Sequence, residues 1–302
     1  MTEIKLVRVF THLGRGGNPC PIVVDASNLS SAGMQSVAQH FGHESGFVLP
    51  APGADSDYAC RFWVPRHEME MCGHATIGAL WVLSIMGRLP GEQVRVETRS
   101  GPVTGYVDRG SSGEPSVEIS QPVGKVVDLT RAQEEDVLSA LKISRRDLLD
   151  QPVQNAVTSR VKTLIPMKGV RQLNELVPAP PQIEACCERI GSTGLYPYAI
   201  EHQGERRFEA RQFPKSSGYP EDAATGIAAA ALAFALLKTG LVEPDSGRIT
   251  VVQGRAMDAL SEIRVRLGFA DRRPVGCLLG GSVTLVESHI LQLQEARLAV
   301  ES

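Results

Sequence analysis

Two helices without a polar face constrain the fold of this chain more than any other feature of its sequence. Arg61-Phe-Trp-Val-Pro65 precedes Cys72-Gly-His-Ala-Thr-Ile-Gly-Ala79, and Arg211-Gln-Phe-Pro214 precedes Asp222-Ala-Ala-Thr-Gly-Ile-Ala-Ala229. Each stretch reads as a strand, a polar loop and then a helix. The first helix continues through Leu80, Trp81, Val82, Leu83 and Ile85, and the second is almost all Ala, Leu and Phe as far as Leu237. A helix that is apolar all round has to be enclosed. The longest apolar stretches, 75–86 and 228–237, fall short of the roughly 20 residues that span a bilayer. No membrane partner is expected, and the enclosure has to come from protein.

Strands supply it. β-branched and aromatic residues cluster between turn residues over 4–10, 21–24, 45–49, 58–64 and 94–98, and again over 161–166, 195–200, 208–213, 249–253 and 261–267. Helical spacing marks 31–40, with Met34, Val37, Ala38 and Phe41 on one face, as well as 131–141, 170–176 and 182–190. The first 120 residues hold two helices and five or six strands on this reading. The expected fold is α+β, with two pseudo-symmetric lobes, each a barrel-like mixed or antiparallel sheet around a central apolar helix. The N-terminal lobe spans 1–122, completed by a C-terminal strand at about 281–302, and the C-terminal lobe spans 123–280. The starts of the two helices are expected to face one cleft, where their partial positive charge suits a carboxylate.

Composition removes several classes of function. The 31 basic and 34 acidic residues give a formal charge of −3, with no basic block to follow a phosphate backbone, so no nucleic-acid partner is expected. The opening residues read as a strand and not as a signal peptide, so a cytoplasmic location is expected. Six cysteines without CxxC spacing indicate neither a disulfide framework nor a zinc knuckle, and most read as small buried hydrophobes. No nucleotide loop and no spaced ligand set is found, so no metal and no cofactor are expected.

A set of short motifs in fixed order carries a resemblance. Phe10 with Gly17-Asn18-Pro19, Glu44-Ser45-Gly46-Phe47, Glu68 with Cys72-Gly73-His74-Ala75-Thr76, Glu221-Asp222 with Thr225-Gly226, and Gln253-Gly254 together resemble the PhzF-like phenazine-biosynthesis family. The resemblance implies the diaminopimelate epimerase-like fold, in agreement with the internal repeat, and a cofactor-independent isomerase that is a homodimer. It implies that Glu44 transfers the proton on a small carboxylate-bearing substrate, with His74 and Asp222 beside it. Asn18, Gly73, Ala75, Thr225 and Gly226 are the implied substrate-binding residues. A carboxylate half-buried near Phe47 and Val48 suits a group that both takes and returns a proton near neutral pH. His74 can donate to a developing enolate, and Asp222 can orient the imidazole or a substrate amine. The same Glu44 could initiate loss of a leaving group, as in a lyase or dehydratase, and a non-catalytic ligand-binding homologue would keep the cleft alone.

Each residue also has an ordinary reading. Glu44 can be a solvated loop carboxylate, His74 a capping or packed histidine, Asp222 the N-cap of the second helix, and Asn18 part of a turn. Arg61 and Glu68 can form a structural ion pair. His43 lies outside the pattern. Racemases of this fold use one thiol at the head of each central helix; here Cys72 fills the first place and the second is expected at Ala223, which carries no proton. Cys72 then reads as a packed residue or pocket wall. Ile227, Ala223 and Ala259-Leu260-Ser261 also depart from the family's pattern, and leave the substrate open.

Overall fold

The two apolar helices are enclosed almost completely in the computed structural model, which describes residues 2–110, 113–216, 219–244 and 247–291. The described chain forms two compact units. One comprises residues 2–9, 18–119 and 281–291, and the other residues 10–17 and 120–280. No helix among the described residues is long and apolar enough to cross a membrane.

The first unit is built from β1 (Thr2–Thr11), β2 (Asn18–Val23), α1 (Ser31–Phe41), β3 (Ser45–Pro50), β4 (Tyr58–Trp63), β5 (Glu68–Met69), α2 (Gly73–Ile85), β6 (Gln93–Thr98), β7 (Gly101–Asp108) and β8 (Ser116–Gln121). β1 and β2 are antiparallel, β2 and β3 parallel, β3 and β4 antiparallel, and β4 and β6 parallel. β6, β7 and β8 form an antiparallel meander. A final strand, β17 (Arg273–Leu291), pairs with β8 and with β1. Helix α2 occupies the middle. A Cβ on Gly78 would meet Val7, Val9 and Ile22, and one on Gly46 would meet Ile22 and Ala75, so β1, β2 and β3 lie directly on the helix. On the outside, α1 starts at Ser30, whose hydroxyl accepts from Gly33 N, and buries Met34, Val37 and Ala38 against Ile4, Val23, Phe47 and Trp63.

The second unit contains β9 (Lys125–Asp128), α3 (Arg131–Leu141), β10 (Gln154–Val157), β11 (Val161–Pro166), α4 (Val170–Asn174), α5 (Pro180–Ile190), β12 (Gly194–His202), β13 (Arg207–Ala210), β14 (Phe213–Pro214), α6 (Gly226–Lys238), β15 (Arg248–Gln253) and β16 (Ser261–Ala270). Its strands join in the order β9, β10, β11, β12, β13, β15, β16, with parallel pairs at β11/β12 and β13/β15. α6 is the enclosed helix, buried from Ala228 to Leu236 and packed against β9, β10, β11 and β16. α3 and α5 cover the sheet's other face, with Val137, Ile183 and Cys187 in one core cluster with Leu195 of β12.

Several elements differ from the sequence expectation. Among the described residues, eight strands begin within the first 120, because the two-residue β5 and the β7/β8 hairpin give weak signals. In β7 the inward positions alternate Val103, Gly105, Val107, and the glycine makes room for Leu80. The expected strand over 208–213 breaks into β13 and β14 at Arg211. That buried guanidinium is satisfied by Glu221 and by the carbonyls of Leu173, Asn174 and Leu176 around the end of α4, which stops at Asn174 instead of 176. Asn18 is not in the turn but pairs with Val9 in β2; the turn precedes it at Gly14, Gly16 and Gly17, all with positive φ. The expected C-terminal strand is the second part of β17, and residues 292–302 lie outside the described residues.

One device recurs in both units. The loop ahead of α2 is pinned by a two-pronged ion pair from Arg61 to Glu68, at 2.6 and 2.8 Å, and the loop ahead of α6 by one from Arg211 to Glu221, at 2.8 and 2.7 Å. Arg61 and Glu68 thus form the structural pair anticipated from sequence, joined by Arg99 at 2.7 Å. The Arg61 guanidinium, against some cost of burial, holds the Glu68 carboxyl below its ordinary value of 4.5. The stabilisation is therefore fully present above that value and is lost as pH falls through the lowered one. Glu68→Gln is expected to cost about 1–2 kcal/mol at neutral pH. In urea unfolding as a function of pH, the gap between the variant and the parent should close below the ordinary carboxylate value.

Candidate active site

The end of α1 and the start of α2 bring three chemically active side chains together. α1 stops at Gly42, whose left-handed backbone turns the chain, and His43 and Glu44 follow before β3. The close approach of Gly46 to Ala75 then sets Glu44 beside the first residues of α2. Cys72 is the N-cap of that helix, and its carbonyl accepts from the Thr76 amide and hydroxyl, so its side chain is directed by the helix start. The Cys72 thiol donates to Glu44 Oε2 at 3.2 Å. Its sulfur also lies 3.4 Å from His74 Nδ1 and 3.8 Å from Nε2. His74 Nε2 is 3.6 Å from Glu44 Oε2, too long for a direct hydrogen bond but close enough to form an ion pair when the ring is protonated.

The exposures are graded. Cys72 is 5 % exposed and His74 9 %, whereas the Glu44 side chain keeps 29 % of its surface. The carboxylate can therefore meet a substrate-sized solute, whereas the buried thiol behind it is not open to one. Burial, and next the Glu44 charge, push the Cys72 thiol well above the usual thiol range, and the same two causes raise Cys20. At neutral pH Cys72 is a neutral donor to Glu44 rather than a nucleophile. His43 is held below the usual histidine range, first by burial and then by the positive charges of Arg8 and His74. Gly73 and Ala75 are in the first turn of α2, where backbone N–H groups have no partner within the helix.

The second unit holds Asp222 between β14 and α6. α6 begins at Gly226 with Thr225 as N-cap, so Asp222 lies too far upstream to cap the helix, and that reading is corrected. The Asp222 carboxylate instead accepts from the Thr225 hydroxyl through Oδ2 and from Ala224 N at 3.4 Å through Oδ1. Gln253, wholly buried at the end of β15, ties the segment together. Its amide donates to Asp222 O at 2.6 Å, and its oxygen accepts from Thr225 N at 3.1 Å and Tyr196 Oη at 3.0 Å. Burial, then the Asp222 charge, push the Tyr196 hydroxyl up, so it remains a donor. Gly226 allows the helix start to press on Phe10 and Leu279: a Cβ there would sit 3.0 Å and 2.8 Å from their side chains.

Helix starts also correct the position expected for a second thiol. Cys72 and Thr225 are the respective N-caps of α2 and α6, so the counterpart of Cys72 is Thr225 and not Ala223. The Thr225 hydroxyl is bonded to Asp222, and no thiol stands at this position.

Glu44 and His74 are thus brought together, while Asp222, Thr225 and Gly226 form a cluster of their own. The sequence reading missed the bond from Cys72 to Glu44 and the clamp formed by Gln253 and Tyr196. The Cys-Gly-His spacing at a helix start was a usable signal for the first. The second joins residues 57 positions apart and has no local signature.

The phenazine biosynthesis-like protein model, PhzC-PhzF, matches residues 7–288. An uncharacterized isomerase of Deinococcus radiodurans is 31 % identical, with 93 % of this chain and 92 % of the relative covered. Trans-2,3-dihydro-3-hydroxyanthranilate isomerase of Pseudomonas fluorescens is 26 % identical over 80 % of this chain and 82 % of its own. Among solved structures, a PhzF-family phenazine biosynthesis protein of Bacillus anthracis superposes with a TM-score of 0.85 at 23 % identity, covering 96 % of this chain and 99 % of that one. A hydroxyproline epimerase of Agrobacterium vitis shares the fold with a TM-score of 0.63 at 15 % identity, covering 95 % and 91 %.

Native protein is expected to resist labelling of Cys72 by iodoacetamide at pH 8, because the thiol is buried and protonated beside a carboxylate. Peptide mass spectrometry should find the Cys72 adduct only after unfolding in urea, where all six cysteines react.

Proposed function

Because this chain belongs to the phenazine biosynthesis-like PhzC-PhzF family, we propose that it is a cofactor-independent isomerase that moves a proton on a small carboxylate-bearing substrate, with Glu44 as the general acid and base. The observation that carries the reading is the partly exposed Glu44 carboxylate, bonded to a neutral thiol and set against an imidazole. A proton acceptor that must later return its proton needs a fixed position and access to the substrate, and both conditions hold at Glu44.

In this mechanism Glu44 removes a proton from the carbon next to a carboxylate or conjugated centre and redelivers it at a second carbon of the same molecule. Cys72 keeps one carboxylate oxygen oriented by donating to it, which leaves the other oxygen for the substrate. His74 donates to the oxygen or nitrogen on which charge develops. The amides at Gly73 and Ala75 suit the substrate carboxylate, since the start of a helix carries roughly half a positive charge. The family resemblance makes Asp222, held by Thr225 and Gln253, the proposed acceptor for a substrate amine or hydroxyl, with Asn18, Thr225 and Gly226 as further proposed binding residues. The Pseudomonas relative is named for a hydroxyanthranilate derivative, and a ring or chain bearing a carboxylate and a neighbouring hydroxyl or amine fits the donors and acceptors assigned here.

Incubation of such compounds in deuterated water tests the reading. Deuterium incorporation without a change of composition is expected with the parent protein, and Glu44→Gln should slow it by about 10²–10⁴-fold with an unaltered circular dichroism spectrum. Undiminished exchange in that variant would remove Glu44 from the mechanism, and loss of a leaving-group mass would convert the isomerase into a lyase.

A further inference from the structure

We infer that Glu44 Oε2, Cys72 Sγ and His74 Nε2 form a three-ligand site for a thiophilic divalent cation, zinc in the first place, and that an ion held there blocks the chemistry of Glu44. The ligand atoms of these residues all lie within 4.8 Å of one another, and no other such group occurs among the described residues. Their separations are those of a coordination shell. Zinc binds sulfur at about 2.3 Å and nitrogen or carboxylate oxygen at about 2.0–2.1 Å, so neighbouring ligands of a tetrahedral ion sit roughly 3.3–3.6 Å apart. The three observed separations are 3.2 Å for sulfur to oxygen, 3.6 Å for nitrogen to oxygen and 3.8 Å for sulfur to nitrogen. The sulfur lies nearer Nδ1, at 3.4 Å, so the triangle is completed by a turn of the His74 ring that aims the Nε2 lone pair at the ion.

The donor set fixes the class of ion. A thiolate with an imidazole and one carboxylate selects zinc, cobalt and cadmium over magnesium and calcium, which want oxygen alone. The thiol proton leaves to solvent as the sulfur binds, because a coordinating thiol is deprotonated by the metal. Thiolate and carboxylate then present two full negative charges, which outweigh the roughly half unit of positive charge at the start of α2. The partial exposure of Glu44 gives the ion its entry path and leaves a fourth position for water. Sequence spacing concealed the site, since Glu44 lies 28 residues before Cys72.

Metal binding is a property of the three side chains alone. Its inhibitory consequence rests on the proposed role of Glu44. The test is therefore spectroscopic. Titration of the full chain with cobalt(II) under a non-thiol, non-chelating reductant should give one four-coordinate ion per chain, with a thiolate-to-metal charge-transfer band that zinc abolishes and millimolar magnesium does not. Cys72→Ser, nearly the same size but a poor ligand, should lose the band while remaining folded. His74→Gln should bind at least tenfold more weakly, and serves as the second variant should Cys72→Ser fail to fold. Absence of the charge-transfer band in the folded parent, or its persistence in Cys72→Ser, overturns the site. Deuterium exchange read in parallel separates the two readings: cobalt binding with Glu44-independent exchange keeps the site and removes the mechanism, whereas Glu44-dependent exchange without cobalt binding does the reverse.

Discussion

Enclosure of a helix that has no polar side is the constraint on which the rest of this structure depends. α2 and α6 can be satisfied only if strands cover them along their length, and each unit supplies those strands. The backbone sets a second condition. The first N–H groups of a helix have no partner inside it, so its start cannot be sealed in an apolar core without cost. Polar side chains therefore collect where the enclosed helix begins, and that is where Cys72, His74 and Glu44 are found in one unit and Asp222, Thr225 and Gln253 in the other.

The two clusters solve this condition differently. In the second unit the polar groups bond mainly to one another: Gln253 bridges Thr225, Asp222 and Tyr196, and the Asp222 carboxylate takes the Thr225 hydroxyl. In the first unit the bonding is incomplete. Glu44 receives a thiol, and the His74 ring stands close to both partners without a normal hydrogen bond to the carboxylate. Satisfied networks hold a shape, whereas groups with spare capacity can bind or exchange a proton. The loops ahead of both enclosed helices are pinned by Arg61–Glu68 and Arg211–Glu221, so that their geometry is set by ion pairs apart from the polar clusters.

Cys72 shows how environment decides what a residue can do. A thiol at a helix start is ordinarily activated by the positive end of the dipole. Here burial and the neighbouring carboxylate act in the opposite direction and prevail, leaving a protonated donor. The same neighbourhood favours a soft cation once the proton is displaced. One arrangement thus disfavours nucleophilic chemistry at the thiol while it orients the neighbouring carboxylate.

Much of this was legible in the sequence, and the boundary of legibility is physical. The all-apolar stretches after Cys72 and Asp222 determined that two helices had to be enclosed, the alternating strands around them determined the α+β class, and the ordered motifs determined the family. These are local patterns of residue type, and local patterns set secondary structure and burial. What the tertiary structure decided were contacts between residues far apart in the chain. The approach of Gly46 to Ala75 placed Glu44 on Cys72, the carbonyls around the end of α4 met the Arg211 guanidinium, and the true start of α6 moved Asp222 from a cap to a clamped acceptor. None of these has a period or a spacing to read, because each depends on the direction and depth at which two distant segments meet.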